Sequence, residues 1–486
     1  MARFNVATKV KNVPNTVNLA GGAAFSESEK MEVFSILACS FTTDQFYRSG
    51  DATIERLRTL VKQDPLFAAK AAVYARQELG MRSITHVAMA EVARAMRGVG
   101  ASWVKDAITA VVRRPDDMTE MVAYYFNTYK DEPLPNAMKK GIAAAFTKFN
   151  EYSLAKYRGE SKEVKLVDIA NLTHPVPTAE NKKAIKELVK GTLASKDTWE
   201  VLLTKAGQKG KNPEEVAKLK EKAWKKLIKG GDLPYFAALR NLRNISEQAP
   251  EALDDVLELI TDEKVIKKSL VLPFRFTTAM EALESVEARV ANKVRVALDE
   301  ATEISLNNVP KLKGTTLVVL DSSGSMEGRP AQIGSLFAAV LCKTNKADLM
   351  LFSDDAKYVT LNTRDSVTTI ANNIPFISGG TNFPSIFRKI RGAYDRIIIL
   401  SDMQGWVENA DLPRAFKSYK AANKCDPTLY SFDLAGYGSL MFPENKVLTL
   451  AGFSEKILDL MPILEDDKAA IVKKMSEISF DKYGKK

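Results

Sequence analysis

From about Ser26 to Ile304 the apolar positions recur at helical spacing, interrupted by Pro and Gly, and no run alternates as a half-buried strand would. The pattern predicts an all-α region with helices near Met31–Ser40, Thr53–Val61, Pro65–Leu79, Thr85–Met96, Ser102–Val112, Asn136–Lys156 and Asn181–Leu193. One further helix reads almost residue by residue. Asn212 suits the N-cap, Pro213 the first turn, Glu214 and Glu215 oppose the helix dipole, and Gly230 ends it. Val216, Leu219, Ala223 and Leu227 then share a buried face, while Lys218, Lys222, Lys225 and Lys229 form a basic stripe that phosphates could use. An ordinary solvated helix face has the same look.

Helix pairs of about 40 residues are what stacked, HEAT-like repeats become when internal identity has decayed, and such stacks curve to give a broad concave surface suited to a polymer. The texture changes near Asn307. After Val309, Pro310, Lys311 and Lys313 comes the β-branched run Thr315–Leu320, which reads as a fully buried parallel strand. Further apolar runs at Ala347–Phe352, Arg396–Leu400 and Thr428–Phe432 alternate with helical patterns at Ala331–Cys342 and Leu412–Ala422. This predicts a doubly wound α/β domain over residues 311–486, following an all-α domain over 1–310.

Composition narrows the chemistry. With 486 residues, 45% of them hydrophobic, the chain can bury more than one core. No stretch reaches the roughly 18 uncharged apolar residues of a membrane span, and the amino end lacks a signal-peptide pattern, so a cytoplasmic protein is expected. Cys39, Cys342 and Cys425 are odd in number and widely spaced, which supports neither a disulfide framework nor a thiolate zinc site. His86 and His174 are the only histidines, too few for a histidine-based metal or catalytic cluster. The net charge of +10 favours polyanionic partners; the surplus is 7 before Lys311 and 3 from there onward.

The strand Thr315–Leu320 ends in Asp321-Ser322-Ser323-Gly324-Ser325-Met326, directly before a helix. In such folds ligands bind at the carboxyl ends of parallel strands, and a turn offering a carboxylate and two hydroxyls on alternate residues can converge on one hard divalent ion. The arrangement resembles the metal-ion-dependent adhesion site (MIDAS) of von Willebrand factor A domains. Its two further elements are found at Gly379-Gly380-Thr381 and Ser401-Asp402. The resemblance implies Mg2+ or another divalent cation held by Ser323, Ser325 and Thr381, with Asp321 and Asp402 supporting. An acidic group of a ligand would take the open position. Asn382 departs from the family pattern, in which an acidic residue can follow the threonine. No histidine or lysine is placed near Ser323 or Ser325 to activate a nucleophile, so an enzyme is not expected.

The helical part resembles the TROVE domain, shared by Ro proteins and by components of telomerase and vault particles. The likeness is carried by Pro133-Leu134-Pro135 leading to Tyr152–Tyr157, by Asp197-Thr198-Trp199-Glu200, by Leu233–Ile245 and by Leu272–Phe276. It continues through Leu434–Gly438 and Leu450–Lys456, and the order of helices followed by an A domain is similar to that of bacterial or phage Ro proteins. The resemblance implies a ring of helical repeats closed by the A domain, a monomer acting as an RNA-binding adaptor. Single-stranded 3′ ends of misfolded non-coding RNA would enter the central hole. A Y-like small RNA would bind the outer surface, and a 3′ exoribonuclease is a further partner. No membrane is involved.

In Leu233–Ile245, Leu239, Leu242 and Ile245 can face the core, leaving Arg240, Arg243 and Asn244 for phosphate or base edges; tying neighbouring repeats through carboxylates is the competing role of the arginines. The resemblance adds His174 and the basic segment from Lys156 to Arg158 as Y RNA contacts, with Lys139 and Lys140 also in a family-like stretch. His174 precedes a proline and equally suits a turn or cap. His86 starts a helix and is expected near the ring's inner edge, unless Thr85 beside it marks a purely structural cap. The rival reading is a metal-dependent protein-binding A-domain adaptor without RNA specificity.

Overall fold

The computed structural model describes residues 14–26, 28–39, 50–159, 162–194, 199–408, 411–434, 439–442, 447–451, 461 and 470–484. Helices follow one another from Glu29–Cys39 to Ala288–Ser305, and the sheet begins at Thr316. The helix foreseen between Asn212 and Gly230 is present as Pro213–Lys229, with the Asn212 side chain accepting from Glu215 N at 2.8 Å. Its buried residues are Trp224 and Leu227, whereas Val216, Leu219 and Ala223 are only half-buried, because the outer half of this helix packs on the single helix Trp199–Lys209.

The expected helix Asn136–Lys156 is broken. It stops at Ala145, passes through a 3-10 turn at Phe146–Lys148 and restarts at Glu151 under an Asn150 cap. Asn181 fixes the break: fully buried, it donates from Nδ2 to Phe146 O at 2.8 Å and Phe149 O at 3.1 Å, satisfying carbonyls that the interrupted helix leaves over. The helix Pro115–Thr128 is an addition to the elements read from the sequence.

The helices form two bodies with separate hydrophobic cores. One runs from Val33 to Leu193 and is continuous with one face of the sheet; the other gathers residues from Trp224 to Ala301. Within the first, the helices Trp103–Val111 and Asn136–Ala145 cross at Gly141, where a Cβ would lie 2.7 Å from both Ile108 Cβ and Lys105 O. Gly141→Val is therefore expected to destabilise the protein by about 1–3 kcal/mol through overpacking, read from urea unfolding.

Nine strands are described: β1 (Thr16–Val17), β2 (Ala23–Ser26), β3 (Thr316–Asp321), β4 (Asp348–Phe352), β5 (Ala356–Val359), β6 (Arg396–Ser401), β7 (Thr428–Asp433), β8 (Ser439–Leu440) and β9 (Val447–Ala451). The main sheet has the order β5-β4-β3-β6-β7-β9, parallel except for the antiparallel edge β4–β5. Every residue of β3 and β6 is buried, as a parallel strand covered on both faces requires. Chain order reverses at β3, so the crevice for a ligand opens beyond the carboxyl ends of β3 and β6.

The α/β domain touches both ends of the helical array. Towards the first helices, Lys70 donates to Ser476 O at 2.5 Å, Tyr483 to Glu78 at 2.5 Å, and Trp103 stacks on Phe480. Towards the last, Glu303 bonds Lys343 and Val367 N, each at 2.6 Å, and Phe274 packs on Phe337 with ring centroids 4.3 Å apart. The helices and the A-type domain thus form a closed ring. No helix among the described residues is long and apolar enough to cross a membrane.

Candidate cation site and nucleic-acid interface

β3 ends on Asp321, whose Oδ1 accepts from Ser323 N at 2.8 Å and whose Oδ2 accepts from Ser401 Oγ at 2.5 Å. Three loops are stitched together around it. Gly324 N donates to Gly379 O at 3.0 Å and Ile377 N to Ser322 Oγ at 2.6 Å, joining the first loop to the second. Trp406 N donates to Thr381 O at 3.2 Å, joining the second to the third. Asp321, Ser323, Ser325, Thr381 and Asp402 are thereby gathered on neighbouring loops, with the Ser323 and Ser325 hydroxyls 3.3 Å apart. All but Ser325 are buried to within 2% exposure. Asn382, the departure from the family pattern, caps the helix Phe383–Lys389 by accepting from Ser385 N at 3.2 Å.

Two buried carboxylates in one cradle are costly unless a cation joins them. Burial, reinforced by the charge of Asp402, pushes the Asp321 carboxyl up to about 7, and burial raises Asp402 against a hydrogen bond from Ser325. Neither carboxylate is ion-paired among the described residues, and Asp402 Oδ2 is buried with no hydrogen-bond partner. An orphaned carboxylate oxygen beside two hydroxyls is a donor set that fits a hard divalent ion. Ser401, quoted from the sequence only as the neighbour of Asp402, bonds Asp321, and Gln404, which the sequence reading did not name, bonds Asp402; adjacency to Asp402 is the one signal for it.

On the helical side, Leu239, Leu242 and Ile245 are buried, as their spacing foretold, and Arg240 and Arg243 are exposed. Neither guanidinium has an ion-pair partner among the described residues, so these arginines do not tie repeats together. Asn244 is half-buried and donates to Asn241 Oδ1 at 3.1 Å. Phe236 is 39% exposed, one helical turn before Arg240. Lys140 is exposed and Lys139 half-buried.

Other candidates are engaged. Lys156 pairs with Glu200 at 3.8 Å, bridging to the helix Trp199–Lys209, and Arg158 donates to Leu193 O within the first helical body. His174 is exposed but caps the helix Leu166–Thr173 in the left-handed conformation, φ 48°. In the basic stripe, Lys218 bonds Glu214 at 3.2 Å and Lys225 bonds Glu221 at 2.7 Å, as on a solvated face.

His86 requires a correction. Expected at the ring's inner edge, it is only 1% exposed, with Nε2 3.4 Å from Asp117 and Nδ1 3.3 Å from Glu120. The helix Pro115–Thr128 supplies both carboxylates, so His86 belongs to a buried charge network and not to a surface open to RNA. Thr85 does not cap by accepting a backbone N–H; its hydroxyl donates to Arg82 O at 2.6 Å.

A ring of helix pairs closed by an A-type domain, with carboxylates and hydroxyls gathered at the switch point, defines a narrow class. The chain belongs to the TROVE-domain family, whose pattern matches residues 25–221 and, overlapping, 192–322; proteins of this Ro/TROVE family bind RNA. Its fold is similar to the crystal structure of the Deinococcus radiodurans Ro (RSR) protein, with TM-score 0.62 and 17% identity over 89% of this chain and 99% of that one. Two curated relatives are telomerase protein component 1 of Rattus norvegicus, 24% identical over 331 residues, and that of Mus musculus, 24% identical over 348. The matches take in 52% and 55% of this chain but only 12% and 13% of those proteins, so the chain spans a small part of their length.

Proposed function

We propose that this protein is an RNA-binding scaffold of non-coding RNA quality control, taking single-stranded 3′ ends of misfolded RNA into the ring and a Y-like small RNA on its outer surface. It has no turnover of its own, and a 3′ exoribonuclease is the partner such a scaffold would serve. The observation that carries the reading is the exposed face of Phe236, Arg240 and Arg243. An aromatic ring one turn before Arg240, with Arg243 at the start of the next helix and neither guanidinium paired to a carboxylate among the described residues, suits stacked, unpaired bases and their phosphates. The positive surplus on the helical side supports the same partner.

Filter binding of a single-stranded oligonucleotide across a salt series tests it. The double variant Arg240→Ala, Arg243→Ala is expected to bind more weakly and to flatten the slope of log K against log salt by about 1.4, roughly 0.7 for each lost single-strand phosphate contact. An unchanged slope rejects this face as the interface.

The second reading, capture of an acidic protein partner through Mg2+ or another divalent ion, is favoured by the orphaned Asp402 oxygen. Ser323, Ser325 and Thr381 would hold the ion, with Asp321 and Asp402 supporting, and the ion would supply a Lewis-acidic position for a carboxylate. Scaffold and adaptor are compatible, since the two sites occupy different domains.

A further inference from the structure

The loop that carries Asp402 is braced from outside the A-type domain. Residues 14–26 form a hairpin, with β1 and β2 paired as Thr16↔Ala24 and Val17↔Ala23, and its turn rests on residues 404–406. Asn18 is buried, and its Oδ1 closes the turn by accepting from Gly22 N at 2.8 Å and Ala20 N at 3.1 Å. Its Nδ2 is then free to reach outward, donating to Gly405 O at 2.5 Å. Leu19 N donates to Gln404 Oε1 at 2.8 Å.

Gln404, fully buried, faces both partners. Besides accepting from the hairpin, it donates from Nε2 to Asp402 O and from its backbone N–H to Asp402 Oδ1, each at 3.1 Å. The contact leaves no slack: a Cβ on Gly22 would lie 2.1 Å from Gly405 O and 2.7 Å from Trp406 Cα. Between Asp402 and Gln404, Met403 is held at φ 60°, a left-handed conformation that is unfavourable for a residue with a Cβ. Such backbone persists only where its surroundings over-determine it. Inside the domain, Ser401 Oγ accepts from Met403 N at 2.9 Å; outside, the hairpin supplies the constraint on the next two residues.

We propose that the hairpin 14–26 is a positioning element of the cation site. Asn18 and Gly22 hold Gly405, Gln404 carries that constraint to Asp402, and cation affinity is coupled to hairpin docking. This rests on the cation-site reading above. Coupling of this kind is reciprocal: if docking strengthens cation binding, the cation must strengthen docking by the same factor.

Mn2+ titrated into the full chain and followed by electron paramagnetic resonance is the test, joined to hydrogen exchange of the Leu19 and Gly22 amides with and without Mn2+. Two variants are compared with the parent protein. Gly22→Val drives the turn off Gly405; Asn18→Asp keeps the acceptor that closes the turn and replaces the amide that donates to Gly405 O and Met441 Sδ by a carboxylate that repels the Gly405 carbonyl. Both are expected to fold, as read from a cooperative unfolding transition, and to bind Mn2+ about tenfold more weakly, the scale of losing a group that orients a ligand. In the parent, Mn2+ is expected to slow exchange at Leu19 and Gly22. Equal affinity in folded variants, or exchange indifferent to Mn2+, overturns the coupling. A parent protein that binds no Mn2+, like Asp402→Ala, overturns the cation site itself and the coupling with it.

Discussion

Asp117→Ala is expected to destabilise the protein by about 3–5 kcal/mol, the usual cost of stripping one partner from a buried charge network, measured by urea unfolding at neutral pH. Asp117 is completely buried and does three things at once. It bonds Arg76 at 2.8 Å and Arg82 at 3.2 Å, contacts His86, and caps the helix Pro115–Thr128 by accepting from Arg113 N at 2.9 Å and Arg114 N at 3.0 Å. Alanine leaves the Arg76 guanidinium, itself buried, without a counter-charge.

The same network fixes the pH dependence. Burial alone would raise the Asp117 carboxyl, but His86 and Arg76 outweigh it and hold the group far below its ordinary 3.8. Its contribution is therefore present above about 4 and is lost as pH falls through the depressed folded value. Burial would lower His86, yet the Asp117 and Glu120 carboxylates beside its ring win and raise it above the ordinary 6.5. That contribution is complete below the ordinary value and is lost as pH rises through the raised one. Unfolding free energy of the parent is expected to decline on both flanks, and Asp117→Ala is expected to remove most of the decline on each.

The second large effect concerns the cation cradle. Asp321→Ala is expected to abolish divalent-ion binding, since it removes the carboxylate that orients Ser323 and bonds Ser401. In the parent, a cation at 100 times its dissociation constant should add about 2.7 kcal/mol to stability; in the variant, addition of Mg2+ should shift nothing. Without the ion the order reverses. Asp321→Ala relieves two buried like charges, so the variant is expected to unfold at a higher temperature than the metal-free parent. A cation-dependent shift that survives in Asp321→Ala would place the ion elsewhere. RNA binding is expected to be untouched.

The α/β domain was legible because its strands are apolar on both faces: a run such as Thr315–Leu320 admits few other readings, and the structure moves its bounds by one residue. The clustering of Asp321, Ser323, Ser325, Thr381 and Asp402 was legible for a related reason, since each of the three elements that carry them directly follows a buried strand or a Gly pair. The helix Pro115–Thr128 was not, because Asp116, Asp117 and Glu120 sit where apolar residues would mark a packed face. Asp116 and Asp117 are buried and Glu120 half-buried, and besides Arg114 beside them their counter-charges are Arg76, Arg82 and His86, about 30 to 40 residues away in sequence. The same blindness placed His86 on a surface. The break at Phe146 escaped too, since Asn181, which satisfies the freed carbonyls, lies 35 residues downstream. The hairpin 14–26 carries little periodicity of its own; its partners, Gln404, Gly405 and Leu440, are about 400 residues distant.

That distance also governs assembly on the ribosome. The partners of Glu78 and Lys70 are Tyr483 and Ser476, 405 and 406 positions later, and β2 must wait for β8. Helices can dock on their neighbours as each emerges, but the circle cannot shut before Ser476 and Tyr483 have been made. Until then the first and last helices of the array lack the contacts that Tyr483, Ser476, Phe480 and the Phe337 and Lys343 helix supply between them.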